Sequence, residues 1–159
     1  MNVADTLAGE HGVFHLLVEQ LDDALARCRT IEELHTAAAP LAISLLGHAR
    51  IEEETLFVPL EQRLGGGGPT HCLRHEHQTM DRMIRALFRL RDPDTMRAAV
   101  RDVLAITRRH LAREEQVLFE AARTALGDAE LEALGAAWAQ ARGITPPEAP
   151  GVTRRDSPD

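Results

Sequence analysis

The sequence predicts an all-α protein, an up-down-up-down four-helix bundle with a short fifth C-terminal helix, and three observations predict it. The first is composition. The 159-residue chain is 44% hydrophobic and 27% charged but only 3% aromatic, and it is rich in Ala, Leu, Arg and Glu, which lose little freedom in a helix. The second is periodicity: apolar residues recur at spacings of three and four, which places them on one face of a helix. The third is punctuation. Breakers such as "LGGGGPT" at 64–70 and the pair Asp92-Pro93 divide the chain into long periodic segments joined by short connections, which favour antiparallel neighbours.

The elements follow in order. Asp5 is the expected cap of a first helix over 5–28, because its carboxylate can accept from the free amides of the first turn. Thr30 followed by "IEEL" has the capping-box pattern and starts a second helix over 31–57. Pro40 falls inside that span and predicts a kink there. Pro69 suits the first position of a third helix over 69–91. Asp92 and Pro93 repeat the punctuation before a fourth helix over 93–124, and Gly127-Asp128 opens the short fifth, "AELEALGAAWAQAR". Residues 1–143 are expected to form the bundle, and 144–159 a flexible Pro-rich tail.

Each predicted apolar stripe contains a histidine. Leu7, His11, Phe14, Val18, Leu21 and Leu25 share a face of the first helix, and Leu73, His77, Met80, Ile84 and Leu87 a face of the third. Leu41, Leu45, His48 and Glu52 line the second; Met96, Val100, Val103, Thr107, His110, Glu114 and Ala121 line the fourth. His11 and His77 lie early in their helices, whereas His48 and His110 lie late. In helices of alternating direction, rising about 1.5 Å per residue, all four imidazoles reach similar heights. With Glu52 and Glu114 they converge on one core layer. Inward carboxylates without a partner are costly, and a bound cation supplies that partner.

Other candidates fall off the stripes. His71 and His75 are out of phase with His77 and are expected in solvent, and His35 is expected to face outward or to precede the kink. Glu53 and Glu115 point sideways, either as solvated charges or as acceptors for imidazole N–H groups. His15 and Asp81 stand one turn beyond His11 and His77 at the stripe edges, as additional ligands or as groups outside the ligand shell. Leu56, Phe57, Leu118 and Phe119 read as core residues beside the site, and Cys28, Cys72 and Trp138 as packing residues.

Several function classes are disfavoured. A formal charge of −7 with scattered basic residues offers no footprint for nucleic acid. No stretch approaches the roughly 20 apolar residues that span a bilayer. The two cysteines have neither metal nor disulfide spacing, and "MNVADTLAGEHG" lacks a signal-peptide pattern, which together predict a cytoplasmic protein. The chain contains no Tyr, which excludes a tyrosyl radical and a phenolate ligand.

"HARIEEETLF" at 48–57 and "HLAREEQVLF" at 110–119 share the pattern H-x-x-x-E-E-x-x-L-F. With the E-H pairs at 10–11 and 76–77 and the "DAELEALG" segment, this resembles the hemerythrin-like proteins of the HHE cation-binding domain family, over residues about 5–142. The resemblance implies that iron is held by His11, His48, Glu52, His77, His110 and Glu114. Imidazole and carboxylate donors suit iron, manganese or zinc, and the resemblance favours two iron ions with a bridging oxo or hydroxo group. Oxygen-carrying hemerythrins have a fifth histidine and their last carboxylate one place later; H-x-x-x-E in both halves departs from that. Four imidazoles and two bridging carboxylates leave coordination positions for O2, peroxide or NO. The expected function is a diiron protein that binds O2, NO or iron in sensing, storage or buffering; the alternative is a diiron oxidase or a peroxide-decomposing enzyme. No protein partner is legible.

Overall fold

The computed structural model describes residues 1–66 and 68–145, and the described residues contain helices and no strand. Helix α1 is Val3–Arg27. Helix α2 runs as Ile31–Glu52, a π-helical turn Glu53–Phe57 and Val58–Leu64. Helix α3 is Thr70–Leu87. Helix α4 runs as Pro93–Arg113, a second π-helical turn Glu114–Leu118 and Phe119–Leu126, and α5 is Asp128–Ala141. The first four pack as the predicted bundle, and α5 lies against α1 and the ends of α2 and α4. The tail expected over 144–159 falls, from residue 146 on, outside the described residues.

Local chemistry sets the boundaries. Asn2, not Asp5, caps α1: its Oδ1 accepts from the Ala4 amide at 2.9 Å, while Asp5 sits inside the first turn and pairs with Arg123. Thr30 and Glu33 form the complete capping box of α2, and Asp92 caps α4 by accepting from Thr95 N at 2.8 Å. The helix continues through Pro40. It also continues beyond residue 57 to Leu64, where Gly65 takes a left-handed φ of 65° that favours glycine. Helix α3 ends at Leu87, four residues earlier than expected, because tight turns replace its ladder: Arg89 N donates to Ala86 O and Leu90 N to Leu87 O.

The two π turns leave no period in the sequence. In each, an amide reaches back five residues, Val58 N to Glu53 O and Phe119 N to Glu114 O. A π turn inserts a residue into the helical repeat and rotates everything after it. The α4 stripe therefore passes through Ala122, which is fully buried, and not through the expected Ala121.

The apolar core has two parts. One contains Phe14, Val18, Leu45, Met80, Val103 and Leu104, and the other Leu7, Ile51, Leu73, Leu118 and Phe119. The chain crosses from one to the other at His11 in α1, between Leu45 and Ile51 in α2, between Leu73 and Met80 in α3, and between Leu111 and Leu118 in α4. The boundary layer is where the buried histidines and glutamates lie. At the bundle end, α5 approaches the N-terminus so closely that a Cβ on Gly135 would lie 2.1 Å from the Met1 carbonyl oxygen.

Candidate metal centre

His11, His48, Glu52, His77, His110 and Glu114 all face this layer, and none is more than 5% exposed. They form two overlapping groups. His11, His48, Glu52 and Glu114 each offer one donor atom within 4.8 Å of the others, and so do Glu52, His77, His110 and Glu114. Both carboxylates belong to both groups. Each half of the repeated motif thus contributes one imidazole and one shared carboxylate.

Geometry fixes what the imidazoles present. His48 Nδ1 lies 2.7 Å from Glu10 Oε2, His77 Nδ1 2.9 Å from Glu53 Oε1, His110 Nδ1 3.0 Å from Glu76 Oε2, and His11 Nδ1 3.1 Å from Glu115 Oε1. A carboxylate only accepts, so each Nδ1 carries the proton and donates it. Each ring then turns an Nε2 lone pair inward. The four bonds also form a closed ring around the bundle: α1 to α2, α2 to α3, α3 to α4, and α4 back to α1. Every outer carboxylate has a second partner, Arg142 at Glu10, Arg74 at Glu53, Arg113 at Glu76 and His15 at Glu115.

The inner atoms are poorly served by the protein itself. His11 Nε2, His48 Nε2 and all four carboxylate oxygens of Glu52 and Glu114 are buried without a hydrogen bond. His77 Nε2 and His110 Nε2 face each other at 2.9 Å, where two lone pairs repel unless one nitrogen is protonated. A cation partners lone pairs and carboxylates together and offsets the carboxylate charge, so this donor set fits divalent metal. Aromatic side chains seal the layer. Phe57 stacks on His77 at 5.3 Å and 7°, Phe119 lies 5.2 Å from His11, and Phe14 meets His48 edge-on at 4.9 Å.

Charge is divided unequally in the protein alone. Burial pushes the Glu52 carboxyl well above the usual range, and the facing Glu114 pushes it further. Burial acts on Glu114 in the same sense, but the imidazoles of His11, His110 and His77 close around it outweigh burial and hold Glu114 well below its ordinary value. The cause is geometric: imidazole nitrogens lie at 2.9, 3.3 and 3.5 Å from Glu114 but at 3.4 and 3.8 Å from Glu52. Burial lowers His48, whereas at His77 the nearby Glu114 carboxylate and the bond to Glu53 overcome burial and raise it. In the outer ring, burial of Glu10 and Glu53 is overcome by His48 with Arg142 and by His77 with Arg74, which keep both ionised.

The remaining candidates lie elsewhere. His71 and His75 are exposed, and His35 is half-buried with Nε2 3.3 Å from the Leu87 carbonyl. His15 is exposed and touches Glu115, 3.1 Å away, rather than the inner layer. Asp81 accepts both contacts from Arg85 Nε, at 2.8 and 2.9 Å. Neither joins the two donor groups. Glu53 and Glu115 take the acceptor role of their two alternatives. Glu10 and Glu76 join them as acceptors, a role the apolar stripes do not predict. The signal was present in the two E-H pairs: one residue, or about 100°, from an inward histidine points a carboxylate at the neighbouring helix.

Between α2 and α3 a cleft of about 600 Å³ opens on His77. No helix of the described residues is long and apolar enough to cross a membrane. The chain matches the family model described as Hemerythrin HHE cation binding domain over residues 2–122. No curated protein and no solved structure matches it.

Proposed function

The chain belongs to the hemerythrin HHE cation-binding domain family, and from that membership and the buried donor layer we propose a cytoplasmic diiron protein that binds O2 or NO. The observation that carries this reading is the pair of four-donor groups sharing Glu52 and Glu114. His11 and His48 would hold one ion and His77 and His110 the other, with both carboxylates common to the two. Iron bound there would supply the redox-active centre for a small gaseous ligand.

The chain's own residues do the rest. Glu10, Glu53, Glu76 and Glu115 fix the imidazole tautomers and aim each Nε2 inward, and such outer partners typically change metal affinity by about 10–100-fold. Phe14, Phe57 and Phe119 shield the donors from water and lower the local polarity. His15, which shares Glu115 Oε1 with His11, acts as an outer hydrogen-bond partner, not as a ligand. A diiron oxidase or peroxide-decomposing enzyme is the second reading, favoured by the cleft that reaches His77.

Helical phase makes the ligand assignment testable. His77→Ala is expected to lose at least one metal ion per chain, whereas His71→Ala and His75→Ala retain the wild-type content; metal analysis of the three purified variants checks this. Loss of metal on replacing His75 alone would place α3 in a different register. The functional reading is tested by optical spectra of the anaerobically iron-loaded protein before and after addition of O2 or NO. A stoichiometric spectral change that reverses on removing the gas is expected. Continuous consumption of O2 or peroxide over many equivalents would instead establish the enzyme.

A further inference from the structure

The cleft between α2 and α3 has a size and a lining that a diatomic gas does not require. A water-sized molecule occupies roughly 30 Å³, whereas sites for organic ligands enclose about 300–1,000 Å³. At about 600 Å³ the cleft falls in the second range. Its apolar wall is made by Leu45, Ala49, Met80 and Ile84, and the buried His77 also lines it. His77 is the one imidazole of the inner layer that lines it.

The rim adds a charge preference. Three arginines line the cleft, Arg50, Arg82 and Arg85, against two acids, Glu53 and Asp81. Both acids are already engaged: Glu53 by His77 and Arg74, and Asp81 by Arg85. Arg50 faces Glu54 only at 3.9 Å with both side chains in solvent, a contact of little strength. Arg82 is exposed and donates from Nη2 to the Thr79 hydroxyl, and no carboxylate pairs with it among the described residues. The rim therefore presents guanidinium donors beside a carbon-lined trough whose lining includes His77 of the donor layer.

We propose that this cleft binds a small organic anion with an apolar body, its head group on Arg82 at the rim and its apolar end directed toward His77. Arginine suits a carboxylate head through paired N–H donors, and the apolar wall supplies the burial that a tail requires. The occupant would then lie next to the metal pair as substrate or modulator; that role rests on the function proposed above, although binding in the cleft does not.

Octanoate is the probe, titrated calorimetrically into the full chain in metal-free and iron-loaded form. Saturable binding at one site is expected in both forms. Arg82→Glu should weaken it about tenfold or more, through loss of a charge-assisted contact and gain of a repulsive one. Ala49→Trp, which fills the trough, should abolish it, and 1-octanol should bind about tenfold more weakly than octanoate. Both variants should keep the wild-type iron content and helical circular dichroism. Absence of saturable octanoate binding, unchanged binding in both variants, or octanol binding as tightly as octanoate would each overturn the proposal. Intact octanoate binding in a chain that takes up no iron would overturn the diiron reading and leave the cleft standing.

Discussion

Glu114→Ala is expected to empty both metal positions, reducing bound metal from about two ions per chain to trace. Glu114 is fully buried, and its oxygens lie 2.9 Å from His110 Nε2, 3.3 Å from His11 Nε2 and 3.5 Å from His77 Nε2. It belongs to both four-donor groups, so one substitution removes a donor and an anionic charge from each. The imidazoles that remain would converge with only Glu52 to offset the cation. His48→Ala gives the contrast, because His48 belongs to one group only: it should lose one ion and keep the other. Alanine favours helix, so helical content should persist and loss of metal can be separated from loss of fold. Metal analysis with circular dichroism on both variants checks the pair. A Glu114→Ala protein that still holds two ions would show that the shared carboxylate does not hold the metal.

Removal of metal is expected to destabilise the protein, by roughly 2.7 kcal/mol for one site compared at a free metal concentration a hundredfold above its dissociation constant. The direction follows from the layer's composition. Six buried donors without a cation leave two carboxylates facing each other and imidazole lone pairs opposed, and buried polar groups without partners carry a full desolvation penalty. For a chain of this length about 1 kcal/mol shifts the melting temperature by roughly 2–4 °C, so chelation should lower it by about 5–10 °C. Thermal unfolding followed by circular dichroism, with and without chelator, measures this. An unchanged melting temperature would mean that the metal, if bound, makes no differential contact with the folded state.

The convergence of the inner layer was legible because its signal is periodic. His11, His48, His77 and His110 occupy positions that spacing alone assigns to apolar stripes, and alternating helix direction brings them to one height. The outer ring was legible only in part. Glu53 and Glu115 could be read as solvated or as acceptors, and Glu10 and Glu76 look like ordinary surface charges until the neighbouring helix is placed beside them. The E-H pairs give the direction in which these carboxylates point, but which imidazole each meets depends on how one helix is rotated about its axis relative to the next. The arginines that complete the ring lie still farther from any local signal: Arg142 belongs to the turn after α5, and Arg74 and Arg113 to the outer flanks of α3 and α4.

The π turns mark a different boundary of sequence reasoning. Their residues, Glu53–Phe57 and Glu114–Leu118, have ordinary helical composition, and the widened turn is a tertiary outcome. It follows the donors in α2 and begins at Glu114 in α4, and it resets the stripe so that Phe57 and Phe119 pack on imidazoles. This one-residue shift explains why the burial expected at Ala121 falls on Ala122. The cap of α1 alone differs, by a smaller cause: Asn2 and Asp5 are both competent caps, and close packing of Val3 and Ala4 draws the first turn further toward the N-terminus.

Every function proposed above requires the six side chains of the two donor groups to hold a pair of metal ions in one buried layer. Anaerobic reconstitution of the full chain with Fe(II) under reducing conditions, followed by removal of free iron and metal analysis, tests it most directly. About two iron ions per chain are expected in the wild type; no more than trace iron in a folded, fully helical protein would rule out a diiron layer.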